Sequence, residues 1–351
     1  MFICHINLAS GYRGGERQAE LLIRELAQRG NRQRLIIRRG NELMRRCADI
    51  VTLDVVEVAS NPLSAALATR GCDILQLHEG RGVYSGLIAS LLFGIPYVIT
   101  RRVPNPRRSK WVRRLAYKRA AAVVAISRAV ATSLGPGYSK SGFDFIPDAH
   151  AALEAEPRAV TAIRDRLKGK LIIGHVGALD HAHKGQRTII EAAHAVREQH
   201  PDWYFMLCGD GRDEQSFREA IGDLDNIELT GWVDNIGDYY ASFDVFVFPS
   251  LKEAIGSAMI DAMYFGLPVV ASNVDGIPEF LEDGVNGRLV EPEQPDQLIA
   301  AIRELVEKPE WAASVRAANI ERAATLDATA MADRYEKIYE RIAKKGSERR
   351  K

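Results

Sequence analysis

Residues that could hold a phosphate and a sugar occur together in one segment of the second half of the chain. An apolar, strand-like run ends at Pro249, Glu253 follows in a loop, and a helix carrying Asp261 is expected to start near Gly256 and Ser257. The N–H groups at a helix start bind phosphate, and carboxylates accept hydrogen bonds from vicinal sugar hydroxyls. Taken singly, the two acids would be surface charges. Their combination with the helix start indicates a sugar-phosphate site.

Lys184 is the second candidate, in the segment 177–185 that follows the first strand of the second half. We expect a helix to begin at this lysine, where a cation opposes the helix dipole. This unfavourable interaction is removed if the lysine and the helix start bind a phosphate together. An exposed lysine with its head group in water is the alternative. His181 and His183 lack a third ligand, which argues against a metal site.

A third candidate lies between the first strand and the first helix, where Gly14 and Gly15 occur in the segment 11–16. Glycines let a backbone approach a ligand closely and open a helix toward an anion. The shape of the turn alone would also explain them. The G-x-G-x-x-G spacing of dinucleotide-binding turns is missing.

These candidates are positioned by short apolar runs that alternate with helical patterns in both halves. In the first half the predicted strands are Phe2–Leu8, Arg34–Ile37, Val51–Val58, Ile74–His78, Tyr97–Thr100 and Ala122–Ile126. In the second half they are Leu171–Gly177, Tyr204–Cys208, Ile227–Leu229, Val245–Phe248, Val269–Ala271 and Arg288–Val290. The alternation predicts an α/β fold of two doubly wound, Rossmann-like domains with parallel sheets, facing a central ligand cleft at the carboxyl ends of the strands.

Composition supports two domains and reveals an uneven distribution of charge. The chain has 351 residues, of which 46% are hydrophobic and 26% charged, and its formal net charge is +1. Residues 1–150 carry 23 basic and 11 acidic residues, a net of +12, so the remaining residues carry a net of −11. The asymmetry suggests that the basic half meets an anion. The four scattered cysteines suit a reducing compartment.

The basic segment 101–119 contains nine lysines and arginines, no acid, and the apolar residues Trp111 and Leu115. A solvated helix face is one interpretation; an anionic membrane leaflet or a phosphorylated glycolipid acceptor is the other. No nucleic-acid-binding motif accompanies the charge. The sequence shows no signal peptide, and Gly94 and Pro96 divide the apolar stretch 83–100 into a helix and a strand. We therefore expect a cytoplasmic protein, at the inner face of the cytoplasmic membrane if the segment meets lipid.

An ordered string of motifs runs from Gly231 to Pro292. It comprises Gly231-Trp232-Val233, Asp244 to Ser250, Glu253 with the acid Asp261, Gly266 to Val270, Gly276-Ile277-Pro278-Glu279, Asp283 to Gly287, and Val290-Glu291-Pro292. With it the chain resembles the family-4 retaining glycosyltransferases of GT-B fold. Weaker matches at Gly14-Gly15-Glu16, Asp73 to His78, Ala125-Ile126-Ser127, Val176-Gly177, Lys184-Gly185 and Gly209-Asp210-Gly211 extend the resemblance over nearly the whole chain.

The resemblance implies an acceptor-binding domain at 1–155 and a nucleotide-sugar-binding domain at 165–327, with a C-terminal helix near 328–345 that packs back on the first. Glu253 would contact hydroxyls of the transferred sugar and Asp261 the nucleotide ribose. Lys184 would stabilise the leaving diphosphate. The implied catalytic residues are Glu253 and Lys184. The implied donor site is Gly15, Lys184, Glu253, Ala254, Ile255, Gly256, Ser257 and Asp261, and the acceptor or phosphate candidates are Gly14, His78, Arg101 and Arg102.

Three positions depart from the family pattern. The second acid is usually glutamate, and Asp261 is one methylene shorter. An arginine that commonly follows the glycine at Gly177 is replaced by Ala178. A histidine that often follows the fifth strand is replaced by Arg101 and Arg102. We hypothesise that these arginines supply the positive charge that Ala178 removes.

The expected activity is metal-independent transfer of a sugar, with retention, from a nucleotide-diphosphate sugar to a lipid-linked or lipopolysaccharide-type glycan. UDP-sugars are favoured over GDP-sugars as donors, and no cofactor or nucleic acid is expected. A sugar-nucleotide epimerase or a phosphorylase could use the same fold. A non-catalytic, two-lobed sugar-binding protein is the alternative from another class.

Overall fold

The computed structural model describes residues 1–104, 111–135 and 137–348, and the chain divides into two compact units. Unit 1 comprises Met1–Ala151 and the C-terminal segment from Asp327, and unit 2 comprises Ala152–Leu326. Each unit contains one parallel sheet with helices between its strands. The prediction of two parallel α/β sheets is confirmed.

Unit 1 contains a seven-stranded parallel sheet of order β3-β2-β1-β4-β5-β6-β7. Its strands are β1 (Phe2–Asn7), β2 (Arg32–Arg38), β3 (Leu53–Val58), β4 (Ile74–Leu77), β5 (Tyr97–Arg101), β6 (Ala122–Ala125) and β7 (Asp144–Phe145). The helices between them are α1 (Gly14–Gln28), α2 (Glu42–Arg46), α3 (Pro62–Ala68), α4 (Gly82–Phe93), α5 (Trp111–Arg119) and α6 (Arg128–Leu134). Every residue of β1, β4 and β6 is buried, which explains their continuous apolar runs. The strand order reverses between β1 and β4, the point where such sheets bind ligands.

Unit 2 contains a six-stranded parallel sheet of order β10-β9-β8-β11-β12-β13. Its strands are β8 (Leu171–Val176), β9 (Trp203–Cys208), β10 (Ile227–Gly231), β11 (Val245–Phe248), β12 (Val269–Ser272) and β13 (Arg288–Val290). Its helices are α7 (Pro157–Arg166), α8 (His181–Lys184), α9 (Gln186–Val196), α10 (Glu214–Ile221), α11 (Ile236–Ser242), α12 (Ser257–Tyr264), α13 (Pro295–Glu307) and α14 (Pro309–Ala324), with a 3₁₀ turn at Ile277–Glu279. The order reverses here between β8 and β11.

The C-terminal helix α15 (Ala328–Glu348) packs on unit 1. The Tyr335 hydroxyl lies 2.7 Å from Thr100 Oγ1, and the Tyr339 hydroxyl donates to Gln76 Oε1 at 2.9 Å. Both tyrosines are buried in one apolar cluster with residues of α1, β1 and β5. The helix therefore completes the core on one face of this sheet.

The structure differs from the sequence predictions mainly at boundaries. The first unit ends at Ala151 rather than 155, because the following residues bind unit 2: the Glu156 N–H donates to Asp238 Oδ1 at 2.7 Å. The two-residue strand β7 was not predicted, since so short a run has no detectable alternation. Among the described residues, no helix is both long enough and apolar enough to span a membrane.

Candidate functional site

Lys184 and Glu253 meet at the carboxyl edge of the unit 2 sheet. Lys184 Nζ lies 2.5 Å from Glu253 Oε2 and 5.1 Å from the centre of the Phe248 ring, at the end of β11. Lys184 is the last residue of the one-turn helix α8, and Gly185 separates it from α9. The prediction that a helix begins at Lys184 was therefore wrong by two residues. The pair brings a cation and a carboxylate to the switch point of the sheet.

Backbone hydrogen bonds fix the loop that carries Glu253. The Glu253 N–H donates to Asp275 Oδ2 at 3.0 Å, and its carbonyl accepts from Gly276 N–H at 3.1 Å. The preceding residues, Leu251 and Lys252, donate their N–H groups to the His183 carbonyl. The loop is thus attached directly to α8, so the two charged side chains approach each other from anchored backbones.

Helix α12 begins beside this pair. Gly256 has φ +79° at its N-cap, and a Cβ there would lie 2.8 Å from the Phe248 ring, so the position requires glycine for both its conformation and its space. Ser257 is the first helical residue, and Asp261, one turn further, is only 2% exposed. The Ala254 and Ile255 side chains are buried as well, so any contact of those two residues with a ligand would come from their backbone.

Close backbone packing explains two glycines of the same edge. A Cβ at Gly185, which has φ +66°, would lie 1.9 Å from the Pro249 carbonyl oxygen, and one at Gly209 would lie 2.2 Å from that of Gly177. The turns after β8, β9 and β11 therefore contact one another through backbone atoms. This contact holds the Lys184 and Glu253 segments together.

Sequence reasoning missed several buried polar residues beneath this edge. Burial lowers the pKa of His175 to about 4, so its ring is neutral, and its Nδ1 donates to the Val247 carbonyl at 3.0 Å because a carbonyl oxygen can only accept. Gln186 donates to the Ala178 carbonyl at 2.8 Å, so the position where the family commonly has arginine is bonded through its backbone here. Within the described part of the chain, Gln186 Oε1 and Ser250 Oγ have no hydrogen-bond partner. Ser250 lies two residues after β11 and Gln186 begins α9, and these places beyond the carboxyl ends of β11 and β8 were the available signal.

The candidates in unit 1 lie at the carboxyl edge of the other sheet. His78 follows β4, Arg102 follows β5, and Gly14 and Gly15 open α1. A Cβ on Gly15 would lie 3.7 Å from Arg102 Cδ, and Arg102 Nη1 donates to the His78 carbonyl at 3.3 Å. The structure therefore brings His78, Arg102 and Gly15 together, whereas Arg101 is the last residue of β5.

Two ionisable groups at this edge have defined charge states. Burial, with the neighbouring His5 and Arg102, lowers the pKa of His78 well below its ordinary value, so His78 is neutral. Arg102 pairs with Asp148 at 3.0 Å, and the carboxylate raises the pKa of Arg102 despite its burial. The Asp148 carboxylate offsets part of the charge that we expected the two arginines to supply.

The basic segment belongs to a wider surface of unit 1. Between Gly80 and Phe143 the sequence has twelve lysines and arginines and no aspartate or glutamate. Of the predicted segment, Arg107, Arg108 and Lys110 lie outside the described residues. Helices α4 to α6 pack on the same face of the sheet, and α4 and α5 expose the apolar side chains Leu91, Leu92, Trp111 and Leu115. We call this the acid-free face.

In residues 1–104, 111–135 and 137–348, no group of three or more His, Cys, Asp or Glu side chains is arranged to hold a metal ion. His183 Nδ1 lies 3.0 Å from Asp180, and His181 Nε2 lies 3.9 Å from Glu293. These two histidines therefore contact different acids.

Comparison with known proteins finds a matching family model for each half of the chain. Residues 12–147 match the family model Glycosyltransferase Family 4, and residues 170–308 match Glycosyl transferases group 1. The alpha-maltose-1-phosphate synthase of Mycolicibacterium smegmatis is 30% identical over 282 residues, 68% of this chain and 72% of that protein. The phosphatidyl-myo-inositol mannosyltransferase of Mycobacterium leprae is 31% identical over 186 residues, 51% of this chain and about half of that protein, 48%. The crystal structure of HepE from Anabaena with UDP-glucose superposes with a TM-score of 0.84 at 20% identity, covering 98% of this chain and 100% of that chain.

Proposed function

Because the chain belongs to the family-4, group 1 glycosyltransferases of GT-B fold, we propose that it moves a sugar, with retention, from a nucleotide-diphosphate sugar to a lipid-linked or lipopolysaccharide-type glycan. The observation that carries the proposal is the Lys184–Glu253 pair at the switch point of the unit 2 sheet, beside the start of α12. It combines a cation that can bind a diphosphate with a carboxylate that can accept hydrogen bonds from sugar hydroxyls.

In the proposed reaction Lys184 and Glu253 each give up their contact with the other and bind the donor instead. Lys184 Nζ donates to the β-phosphate, and the Glu253 carboxylate accepts from sugar hydroxyls. The backbone at Gly256 and Ser257 adds N–H groups toward the diphosphate, and Asp261 lies on the same helix for the ribose. Because charge grows on the diphosphate as it leaves, Lys184 stabilises the transition state more than the ground state.

The bond changes need no protein nucleophile. The bond between the anomeric carbon and the β-phosphate oxygen breaks, and the acceptor oxygen bonds to that carbon on the same face of the sugar. The acceptor proton passes to an oxygen of the departing phosphate. The protein then orients the groups and stabilises charge, and retention follows from the same-face approach.

For the donor we propose a UDP-sugar, with no metal ion and no cofactor. The support is that HepE, which has the same fold, was crystallised with UDP-glucose. Lys184 supplies the positive charge at the diphosphate that a metal ion supplies in other phosphate-transfer sites.

For the acceptor we propose a glycolipid reached at the anionic inner face of the cytoplasmic membrane. The acid-free face combines basic residues with exposed apolar side chains, of which Trp111 is 76% exposed. Such a surface binds anionic lipid through apolar insertion and electrostatic attraction together. The phosphatidyl-myo-inositol mannosyltransferase relative is named for a lipid acceptor, which supports this choice.

Product analysis tests the activity. The full-length protein is incubated with UDP-sugars and GDP-sugars, bacterial glycolipid and EDTA, and the product linkage is determined by NMR. We expect a new glycosidic bond with the donor's anomeric configuration. An epimerised sugar nucleotide, a phosphate-dependent product, or sugar binding that no nucleotide affects would replace the proposal with one of the alternatives.

Vesicle sedimentation tests the membrane contact separately. Binding to phosphatidylglycerol vesicles should exceed binding to phosphatidylcholine vesicles and weaken in salt. Trp111→Ser should reduce it, whereas Trp232→Ser should not, because this exposed tryptophan (65% exposed) belongs to unit 2. Equal binding to both vesicle types would exclude an electrostatic membrane contact.

A further inference from the structure

Three buried polar atoms at the carboxyl edge of the unit 1 sheet have no hydrogen-bond partner among the residues described: Asn7 Nδ2, His78 Nδ1 and Arg102 Nη2. The three residues end or follow β1, β4 and β5, which are adjacent strands at the switch point. We call them the edge cluster. A buried polar group without a partner costs about 1–3 kcal/mol, so three at one edge indicate a ligand that supplies the missing partners.

Surrounding hydrogen bonds determine what Asn7 and His78 offer. The Ala9 N–H donates to Asn7 Oδ1 at 3.1 Å, so Asn7 Nδ2 is the unused donor. Gln33 donates its amide to the Ile23 carbonyl, so its Oε1, 2.9 Å from His5 Nε2, accepts from that nitrogen. His5 Nδ1 is then an acceptor for His78 Nε2–H at 3.0 Å. His78 Nδ1 therefore carries a lone pair.

Arg102 is held in one orientation. Its Nε donates to Asp148 at 3.0 Å and its Nη1 to the His78 carbonyl at 3.3 Å, and its side chain is only 9% exposed. These two bonds leave Nη2 as a charged donor. A Cβ built on Gly15, in the first turn of α1, would lie 3.7 Å from Arg102 Cδ, so the helix start lies near the Arg102 side chain. A helix start favours anions.

We propose that the edge cluster binds an anionic phosphoryl group with a neighbouring hydroxyl. Arg102 Nη2 and Asn7 Nδ2 donate to the phosphoryl oxygens, and His78 Nδ1 accepts from the hydroxyl. The inference rests on the proposed function, because a sugar nucleotide and a phosphorylated glycan acceptor both present this chemistry. The test below identifies which of the two supplies it.

Calorimetry on the full-length protein provides the test, with inorganic phosphate, UDP and a hexose 6-phosphate as probes. Arg102→Gln should weaken phosphate binding about tenfold or more, equivalent to at least about 1.4 kcal/mol. Arg45→Gln, on the exposed surface of the same unit, is the matched control and should bind as the wild type does. Loss for UDP alone assigns the site to the donor, and loss for the hexose phosphate alone assigns it to the acceptor.

Asn7→Asp provides a second variant in case Arg102→Gln does not fold. It keeps an oxygen for the Ala9 N–H and replaces the donor by a carboxylate, which repels phosphate. If both variants fold and bind all three probes with wild-type affinity, the proposal is wrong. Because binding needs no turnover, it can hold or fail independently of sugar transfer.

NMR of histidine labelled with ¹⁵N provides a readout that a structural role would not change. Without a ligand, His78 Nδ1 should resonate as an unprotonated ring nitrogen. Addition of UDP or hexose 6-phosphate, whichever binds, should shift this resonance as the hydrogen bond from the hydroxyl forms, and the shift should be absent in Asn7→Asp. An unchanged Nδ1 resonance when UDP and hexose 6-phosphate are each saturating would exclude the hydroxyl contact.

Discussion

Both units have charged and polar side chains at the switch point of their sheet, but the two units differ in how those side chains find hydrogen-bond and ion-pair partners. In unit 2, Lys184 and Glu253 pair with each other, 2.5 Å apart at the β8/β11 switch point. In unit 1, at the β1/β4 switch point, Arg102 is bonded to Asp148 and His78 to His5, and each keeps one atom without a partner in the described structure.

The difference indicates two ways of preparing a site for a ligand. The unit 2 pair must separate before its charges can contact a substrate, so binding there replaces one set of charge interactions with another. The unit 1 groups are already oriented by bonds to the protein, so a ligand adds bonds without breaking any. Variants in unit 2 should therefore act mainly on charge and backbone packing, and variants in unit 1 mainly on ligand orientation.

Lys184→Met should have the largest effect on activity. In the proposed mechanism this charge stabilises the leaving diphosphate, so its removal is expected to lower kcat about 10²–10³-fold. Lys252→Met changes an exposed lysine of the same region and should leave kcat within about twofold, as expected for a rim charge. Equal losses of kcat in the two variants would mean that the general positive potential of this region, rather than Lys184 itself, supports catalysis.

Gly185→Ala should have the largest effect on stability. Its Cβ would lie 1.9 Å from the Pro249 carbonyl oxygen at φ +66°, so we expect a loss of about 2–4 kcal/mol in the free energy of unfolding. Gly94→Ala is the control for the backbone conformation, because it has φ +69° with no atom within 4 Å of the added Cβ. Its loss should be about 1 kcal/mol. Urea unfolding of both variants measures the difference, and similar losses would contradict the packing argument.

The same comparison explains how much of the molecule could be predicted from sequence. The strands were predictable because burial on both faces produces continuous apolar runs, as in β11, where the predicted and observed limits coincide. Lys184 and Glu253 were proposed as site residues from the family motif. The Arg102–Asp148 pair and the His5–His78 contact join residues that are 46 and 73 positions apart. Such long-range pairing leaves no local pattern, so the arrangement at the unit 1 edge required the structure.

Stability should fall as the pH decreases below about 6.5. Burial lowers the pKa values of His5 and His175 to about 4, and that of His78 well below its ordinary value. Between the folded and unfolded pKa values the unfolded chain binds more protons, so the stabilisation is complete above about pH 6.5 and is lost as the pH falls. Each neutral histidine contributes up to about 1.4 kcal/mol per pH unit. Urea unfolding at pH 7, 6 and 5 measures the slope, and a constant free energy of unfolding would contradict the assigned charge states.

Gly15→Ala should have the smallest effect on stability and still reduce function, which makes it the sharpest test of the contrast with Gly185. The added Cβ would lie 3.7 Å from Arg102 Cδ, an ordinary contact, and the residue is helical, so the free energy of unfolding should be unchanged or about 0.5–1 kcal/mol higher. A methyl group beside the Arg102 guanidinium would nevertheless narrow the approach of a ligand to the edge cluster. We expect kcat/KM to fall about tenfold, with most of the change in KM. Wild-type kcat/KM in a stable Gly15→Ala protein would show that no ligand approaches the start of α1 closely enough to meet the added methyl group.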